Sequence, residues 1–268
     1  MKSLATIAAL LLGPCLASPA FAALCSDTAS GFDAWKAAFA SEAQANGIGD
    51  AGLNALAGTA YAKKTIAADR NQKSFKLSFD EFMAKRGAPA IVAKGKRLKA
   101  KNAKLFARIE RDTGVPAGPL LAICGMETGF GGFLGDQNTL SAVATLAFDC
   151  RRTAFFSEQL VAALELIDLG VISGGSIGAM HGEIGQTQFL PLNVLKYGVD
   201  GDGDGRIDLV GSSPDALAST ASFLKGHGWT PGAGYQVGEP NFAALEGWNA
   251  AEVYQKAIAA MGAEIDGE

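Results

Sequence analysis

The chain has 268 residues, with 23 Lys and Arg against 27 Asp and Glu and a net charge of −4. No basic cluster of nucleic-acid type occurs, which argues against binding to phosphate backbones by charge. The length allows one large domain or two small ones, and beyond the first residues no apolar run is long enough for a transmembrane helix.

Residues 1–22, MKSLATIAALLLGPCLASPAFA, read as a secretory signal peptide. Lys2 supplies the basic start, the apolar run from Leu4 to Leu12 is too short to span a bilayer, and Ala20-Phe21-Ala22 is a small-x-small cleavage site. Cys15 follows Pro14 and Cys25 follows Leu24. Neither has the small neighbour that a lipid-anchoring signal needs, so a soluble exported protein is expected. Export permits a disulfide. Of the three later cysteines, Cys124 lies in an apolar helix-like run and reads as a buried thiol. That leaves Cys25 and Cys150 as the candidate bridge, although spacing does not fix connectivity.

Helical periodicity dominates. Phe32, Trp35 and Phe39 predict one amphipathic helix, and Phe75, Phe79 and Phe82, flanked by Leu77, predict another. Both aromatic stripes are read as core. A Lys- and Ala-rich helix is expected over 88–111, stopping near Gly114. Residues 118–127 are apolar and helical by pattern. Asn138-Thr139 caps a helix through TLSAVATLAF, Ser157 caps one through SEQLVAALELIDL, and Ser213-Pro214 opens another through DALASTASFL. No stretch alternates like a strand, so the class is mainly α.

Residues 200–208, DGDGDGRID, match much of an EF-hand loop. Asp200, Asp202 and Asp204 stand at alternate positions, Gly205 at the sharp turn and Asp208 at position nine. Carboxylates crowded on one tight loop repel unless a divalent cation neutralises them. Arg206 would add its backbone carbonyl. Position twelve is Gly211, so Asp215 in the following helix is the expected closing ligand. The ion would be structural calcium, pinning the loop to that helix.

One acid stands apart. In ICGMETGFGG, Glu127 ends an apolar run among Gly125, Gly129, Gly131 and Gly132. Partial desolvation would raise its pKa, and the glycines would let a bulky ligand approach the backbone. That suits a general acid protonating a glycosidic oxygen. Ordinary glycosidases use two carboxylates. Glu183, Asp136 and Asp149 are candidate partners, without a strong positional signal.

Taken together, VPAGPLLAICGMETGFGG, LSAVATLAFDCRR, GQTQFLP, YGVDGDGDGRIDL and DALASTASFLKGHGW resemble, in matching order, the lytic murein transglycosylase B family, glycoside hydrolase family 103. The resemblance implies a lysozyme-like α fold with a calcium loop. It implies a signal over 1–22, a helical region over 23–110 and a catalytic core over 111–268. It implies cleavage of the MurNAc–GlcNAc β-1,4 bond of peptidoglycan in the periplasm, with a 1,6-anhydro product. Glu127 would serve as acid and then base, because the substrate's own C6 hydroxyl is the nucleophile. Gln188 would hydrogen-bond the sugar. Trp248, Asn249 and Tyr254 would form a ring and polar edge for it, and Phe223 would stand where the family has a tyrosine.

The chain departs from the family at Ala179, where a small polar residue is usual, and at His181 and Glu183. Between Trp229 and Pro240 only TPGAGYQVGE replaces a longer insert, so a β subdomain flanking the cleft is expected to be reduced or missing. Two further readings follow from these departures. One is a lysozyme-type hydrolase with Glu183 or a water-positioning residue supplying the base. The other is a weakly active peptidoglycan-binding module working with a cell-wall partner protein.

Overall fold

The computed structural model describes residues 25–71 and 77–267. The leader read at 1–22 and Phe75 of the second aromatic stripe lie outside the described residues. Helices dominate. Phe32, Trp35 and Phe39 share the buried face of α1 (Phe32–Ala45), as their spacing predicts. Next come α2 (Asp50–Ala57) and α3 (Lys63–Arg70). A capping box opens α4 (Phe79–Arg86): the Ser78 hydroxyl accepts from the Glu81 N–H, and the Glu81 carboxylate accepts from the Ser78 N–H.

The run at 88–111 is two helices rather than one. α5 (Ala88–Lys101) and α6 (Ala103–Thr113) meet at Asn102, which leaves helical geometry at φ −113° and ψ 33°. Asn competes for backbone groups, and here its Nδ2 donates to the Leu98 carbonyl at 3.0 Å. Gly114 then ends α6 in the left-handed conformation, as expected. α7 (Ala117–Thr128) is apolar on all sides and buried nearly throughout, the pattern of a central core helix.

A two-residue strand, β1 (Gln137–Asn138), leads into α8 (Thr139–Phe148), where Asn138 Oδ1 accepts from the Ser141 N–H at 2.8 Å. α9 (Thr153–Asp168) starts one turn before the Ser157 cap that the sequence suggests. Phe156 is 1% exposed, and its burial draws that first turn into the helix. β2 (Ile177–Gly178) pairs antiparallel with β1, Gln137 opposite Gly178 and Asn138 opposite Ile177. These strands are too short to show alternation in sequence. α10 (Pro191–Tyr197) and α11 (Ser213–Gly226) follow, the latter capped by Ser212 rather than Ser213. α12 (Phe242–Trp248) and α13 (Glu252–Asp266) close the chain.

Two hydrophobic clusters organise these elements. One joins α1, α2 and α3 to α8 and α9 through Trp35, Leu56, Phe148 and Leu160. The other surrounds α7 with α4, α5, α11 and α13, through Phe82, Leu120, Ile123, Leu224 and Ile258. The helices that begin before residue 110 are therefore divided between two cores, α1–α3 in one and α4–α6 in the other. Burying a side chain such as Leu120 or Ile123 stabilises the fold by about 1.5–3 kcal/mol. α7 and α13 approach closely because Gly118 carries no side chain: a Cβ there would lie 2.2 Å from the Gly262 carbonyl oxygen.

Cys25 and Cys150 are bonded, with Cα atoms 4.9 Å apart, so the start of the described chain is tied to the α8–α9 connection. Cys124 is the buried free thiol, and burial pushes its pKa up to about 12. The segment 230–239 contains no strand. Asn241 fastens it, with Oδ1 accepting from the Thr230 N–H and Nδ2 donating to the Thr230 and Ala233 carbonyls. The reduced insert is thus a short pinned loop.

Candidate active site

Glu127 lies in the last turn of α7, which Gly129 ends at φ 62°. Two donors converge on one of its oxygens. The Tyr254 hydroxyl donates to Oε1 at 2.7 Å, and Trp248 Nε1 donates to the same atom at 3.1 Å. No described residue donates to Oε2. Burial raises the Glu127 pKa. The bonds from Tyr254 and Trp248 and the charge of Arg86 oppose that rise, and the charge of Glu183 adds to it. The carboxyl is therefore held toward its protonated form, with Oε2 left to carry the proton.

A cavity of about 270 Å³ opens beside this carboxyl. It is at the small end of ligand sites, which run to roughly 300–1,000 Å³. Glu127, Glu183, Gln188, Phe223, Trp248 and Asn249 all line it, so six residues singled out in the sequence meet there. Asn193 also lines it.

Tyr254, which does not line the cavity, and Trp248 and Phe223, which do, are placed differently from the sequence reading. Tyr254 is 2% exposed and does not face a sugar directly; its hydroxyl holds Glu127 instead. Burial of the ring, together with the Glu127 charge, raises the Tyr254 pKa well above the usual phenol value, so it remains a donor. Trp248 likewise spends its N–H on Glu127, and its ring packs edge-on against Phe189 and Phe223 with centroids 5.4 Å and 5.1 Å away. Phe223 is 4% exposed and stacks on His227 at 3.9 Å, so it backs the cavity more than it faces ligand. Asn249 caps the end of α12, its Oδ1 accepting from the Ala251 N–H.

The GQTQF segment turns sharply. Ile184 and Phe189 exchange backbone hydrogen bonds at 2.7 Å and 2.9 Å, closing the loop between them. Gln188 sits in that loop at φ 58°, in the left-handed region. A non-glycine residue held there costs about 1–3 kcal/mol and persists only where its surroundings demand it. Its Nε2 donates to the Gly185 carbonyl at 2.8 Å and the Leu134 carbonyl at 3.4 Å. The amide that the sequence reading treats as both donor and acceptor thus offers a ligand its oxygen.

Arg86 had no motif to announce it. Its guanidinium lies over the Phe82 and Tyr254 rings, 5.1 Å and 5.5 Å from their centroids, and donates to the Met126 carbonyl. The charge reaches Glu127 across that ring stack.

The acidic loop forms a separate cluster. One carboxylate oxygen each from Asp200, Asp202 and Asp204 lies within 4.8 Å of the others. No ion pair among the described residues neutralises them. This donor set fits a hard divalent cation. Asp215 does not join it: the side chain is 1% exposed, and its oxygens accept from the backbone N–H groups of Gly201, Asp202 and Asp208. Asp215 therefore pins the loop to α11 directly, the task the sequence reading gave to the ion. A larger groove of about 1220 Å³ runs beside this loop, past Phe133, Leu169 and Ile177, and shares no lining residue with the Glu127 cavity.

A helical fold with a partly buried acid, Glu127, at a small polar-edged cavity is the arrangement of lysozyme-like glycan-cleaving proteins. Residues 31–239 match the family model described as transglycosylase SLT domain, and the chain belongs to that family. It is similar to SltB3 from Pseudomonas aeruginosa, solved in complex with NAG-anhNAM-pentapeptide: 28% identity, 89% of this chain and 80% of that one, TM-score 0.82. It is also similar to the soluble lytic transglycosylase SltB1 of the same organism, at 25% identity, 86% and 97% coverage and TM-score 0.78. The fold is shared with the Escherichia coli lytic transglycosylase Slt35 in complex with calcium, at 22% identity, 91% and 95% coverage and TM-score 0.77. Over 125 residues it is 38% identical to the membrane-bound lytic murein transglycosylase B of Escherichia coli (strain K12), covering 44% of this chain. The chain spans about a third, 33%, of the length of that relative.

Proposed function

We propose that the protein is a lytic transglycosylase that cleaves the MurNAc–GlcNAc β-1,4 bond of peptidoglycan and leaves a 1,6-anhydromuramyl end. One observation carries the reading: Glu127 lines the cavity with both donors on Oε1, which leaves Oε2 as the oxygen to carry a proton. Glu127 protonates the glycosidic oxygen as the C1–O bond breaks. The substrate's C6 hydroxyl attacks C1 and closes the anhydro ring, and the ionised Glu127 takes up the hydroxyl proton. Tyr254 and Trp248 stabilise the carboxylate formed between the two steps. Gln188 Oε1 accepts from a sugar N–H or O–H, and Asn249 lies at the polar edge of the same cavity.

The ligands of SltB3, a pentapeptide-bearing NAG-anhNAM fragment and its NAG-NAM counterpart, support peptidoglycan strands as the substrate. A leader at 1–22, as the sequence reads, would export the enzyme to the periplasm. No helix among the described residues is long and apolar enough to cross a membrane. Asp200, Asp202 and Asp204, with the Arg206 carbonyl, would hold a calcium ion that neutralises the crowded carboxylates of the loop. Cell-wall partner proteins would meet the enzyme outside the Glu127 cavity. Purified peptidoglycan digested with the protein tests the reading by mass spectrometry of the fragments. Anhydro-ended products, lighter by one water than reducing ends, are expected. Binding with no release of fragments would overturn it.

A further inference from the structure

Glu183 is the second carboxylate of the Glu127 cavity. It comes from a different element, the loop between β2 and the Ile184–Phe189 turn, and its side chain keeps 24% of its surface accessible. Its neighbour His181 grips it twice. Oε1 lies 3.1 Å from His181 Nδ1, and Oε2 accepts from the His181 backbone N–H at 2.9 Å. These contacts fix the carboxyl plane while leaving each oxygen a second lone pair. The two acids are driven apart. Burial acts to raise the pKa of each, but at Glu183 the bond and charge of His181 more than offset it and hold the pKa below the usual value, whereas at Glu127 burial prevails. Two carboxyls on a single sugar-sized cavity, one pushed toward its protonated form and the other toward its ionised form, suit the division of labour of a two-acid glycosidase.

We infer that Glu183, oriented by His181, is a second catalytic residue that deprotonates a water in the cavity and opens a hydrolytic branch beside the anhydro-forming one. The inference rests on the transglycosylase reading for its first step, which both branches share. Glu127 donates its proton to the leaving oxygen and the C1–O bond breaks. In the hydrolytic branch a water oxygen bonds C1 and its proton passes to Glu183. The product is an ordinary reducing end, and the two carboxyls have exchanged one proton through substrate and water. No other reactant is needed.

Product partition tests this. Peptidoglycan whose existing ends have been reduced to alditols is digested with the wild-type protein and with Glu183→Gln. New reducing ends and anhydro ends are then counted by mass. The wild type should give both. General-base assistance is worth about 10²–10⁴-fold, so Glu183→Gln should lower the reducing-end share by about a hundredfold or more. Anhydro product should fall far less than reducing ends, and a far-UV circular dichroism spectrum matching the wild type shows the variant to be folded. Glu183→Asp should restore part of the share. The inference is overturned if the wild type makes only anhydro ends, if the Gln variant leaves the ratio unchanged, or if both products fall together. Absence of any cleavage by the wild type would instead defeat the transglycosylase reading.

Discussion

Tyr254→Phe isolates the device that sets Glu127. The substitution removes one hydroxyl and keeps the ring, which packs edge-on against Phe82 at 5.7 Å and lies under Arg86. Packing should be retained, and melting should change little. What is lost is the 2.7 Å bond to Oε1, which leaves Trp248 as the one donor there. A hydrogen bond to a charged group contributes about 1.5–3 kcal/mol. It acts on the carboxylate that forms as Glu127 gives up its proton, so its loss falls on the barrier. The expected drop in kcat is roughly 10- to 150-fold. The pH profile supplies a second readout. Glu127 works protonated and its pKa is raised by burial, so activity persists above the ordinary carboxylate range and falls as pH rises through the raised value. Tyr254 lowers that pKa by favouring the ionised form, so its removal should move the alkaline limb to higher pH. Initial rates of anhydro-muropeptide release across pH measure both effects. An unchanged kcat, or a limb displaced to lower pH, would refute the assignment.

Other perturbations reach other parts of the molecule. Gly118→Ala places a Cβ against the Gly262 carbonyl, so unfolding should cost about 1–3 kcal/mol less in a denaturant titration, and activity should fall because α13 carries Tyr254. Replacing Cys25 and Cys150 by Ser should lower stability by about 2–5 kcal/mol, read from the same titration, since the bridge spans 125 residues. Calcium at a hundred times its dissociation constant should stabilise the fold by about 2.7 kcal/mol, seen as a fall in Tm on adding chelator. Asp204→Asn should abolish that response.

The sequence announced the fold through spacing. The aromatic triplet of α1, the Asn138 cap and the left-handed Gly114 each act within one turn of chain, so a local reading finds them. The early start of α9 depends on the burial of Phe156 against distant residues, which no window shows, whereas the break at Asn102 is local and rests on its side chain taking the Leu98 carbonyl. At the site, Glu127 drew notice because glycines isolate it, while Gln188 and Trp248 were read from the family resemblance, and the structure brings all three to one cavity. Tyr254 was found, but its task was not: that depends on α13 crossing α7 at Gly118 and Gly262, a contact between residues far apart in sequence. Arg86 left no signal at all, because a single arginine on an amphipathic helix looks like any solvated charge. The acidic loop was read from its repeat, whereas the inward turn of Asp215 toward three backbone N–H groups needed coordinates.

The account stands or falls on one proton at Glu127. Glu127→Gln keeps the shape of the side chain and leaves nothing to donate to a glycosidic oxygen. Co-sedimentation with peptidoglycan should match the wild type, while soluble anhydro-muropeptide release should fall at least a thousandfold, on the order expected when an acid that also serves as base is removed. Release within a few fold of the wild type would show that the bond is broken by some other group.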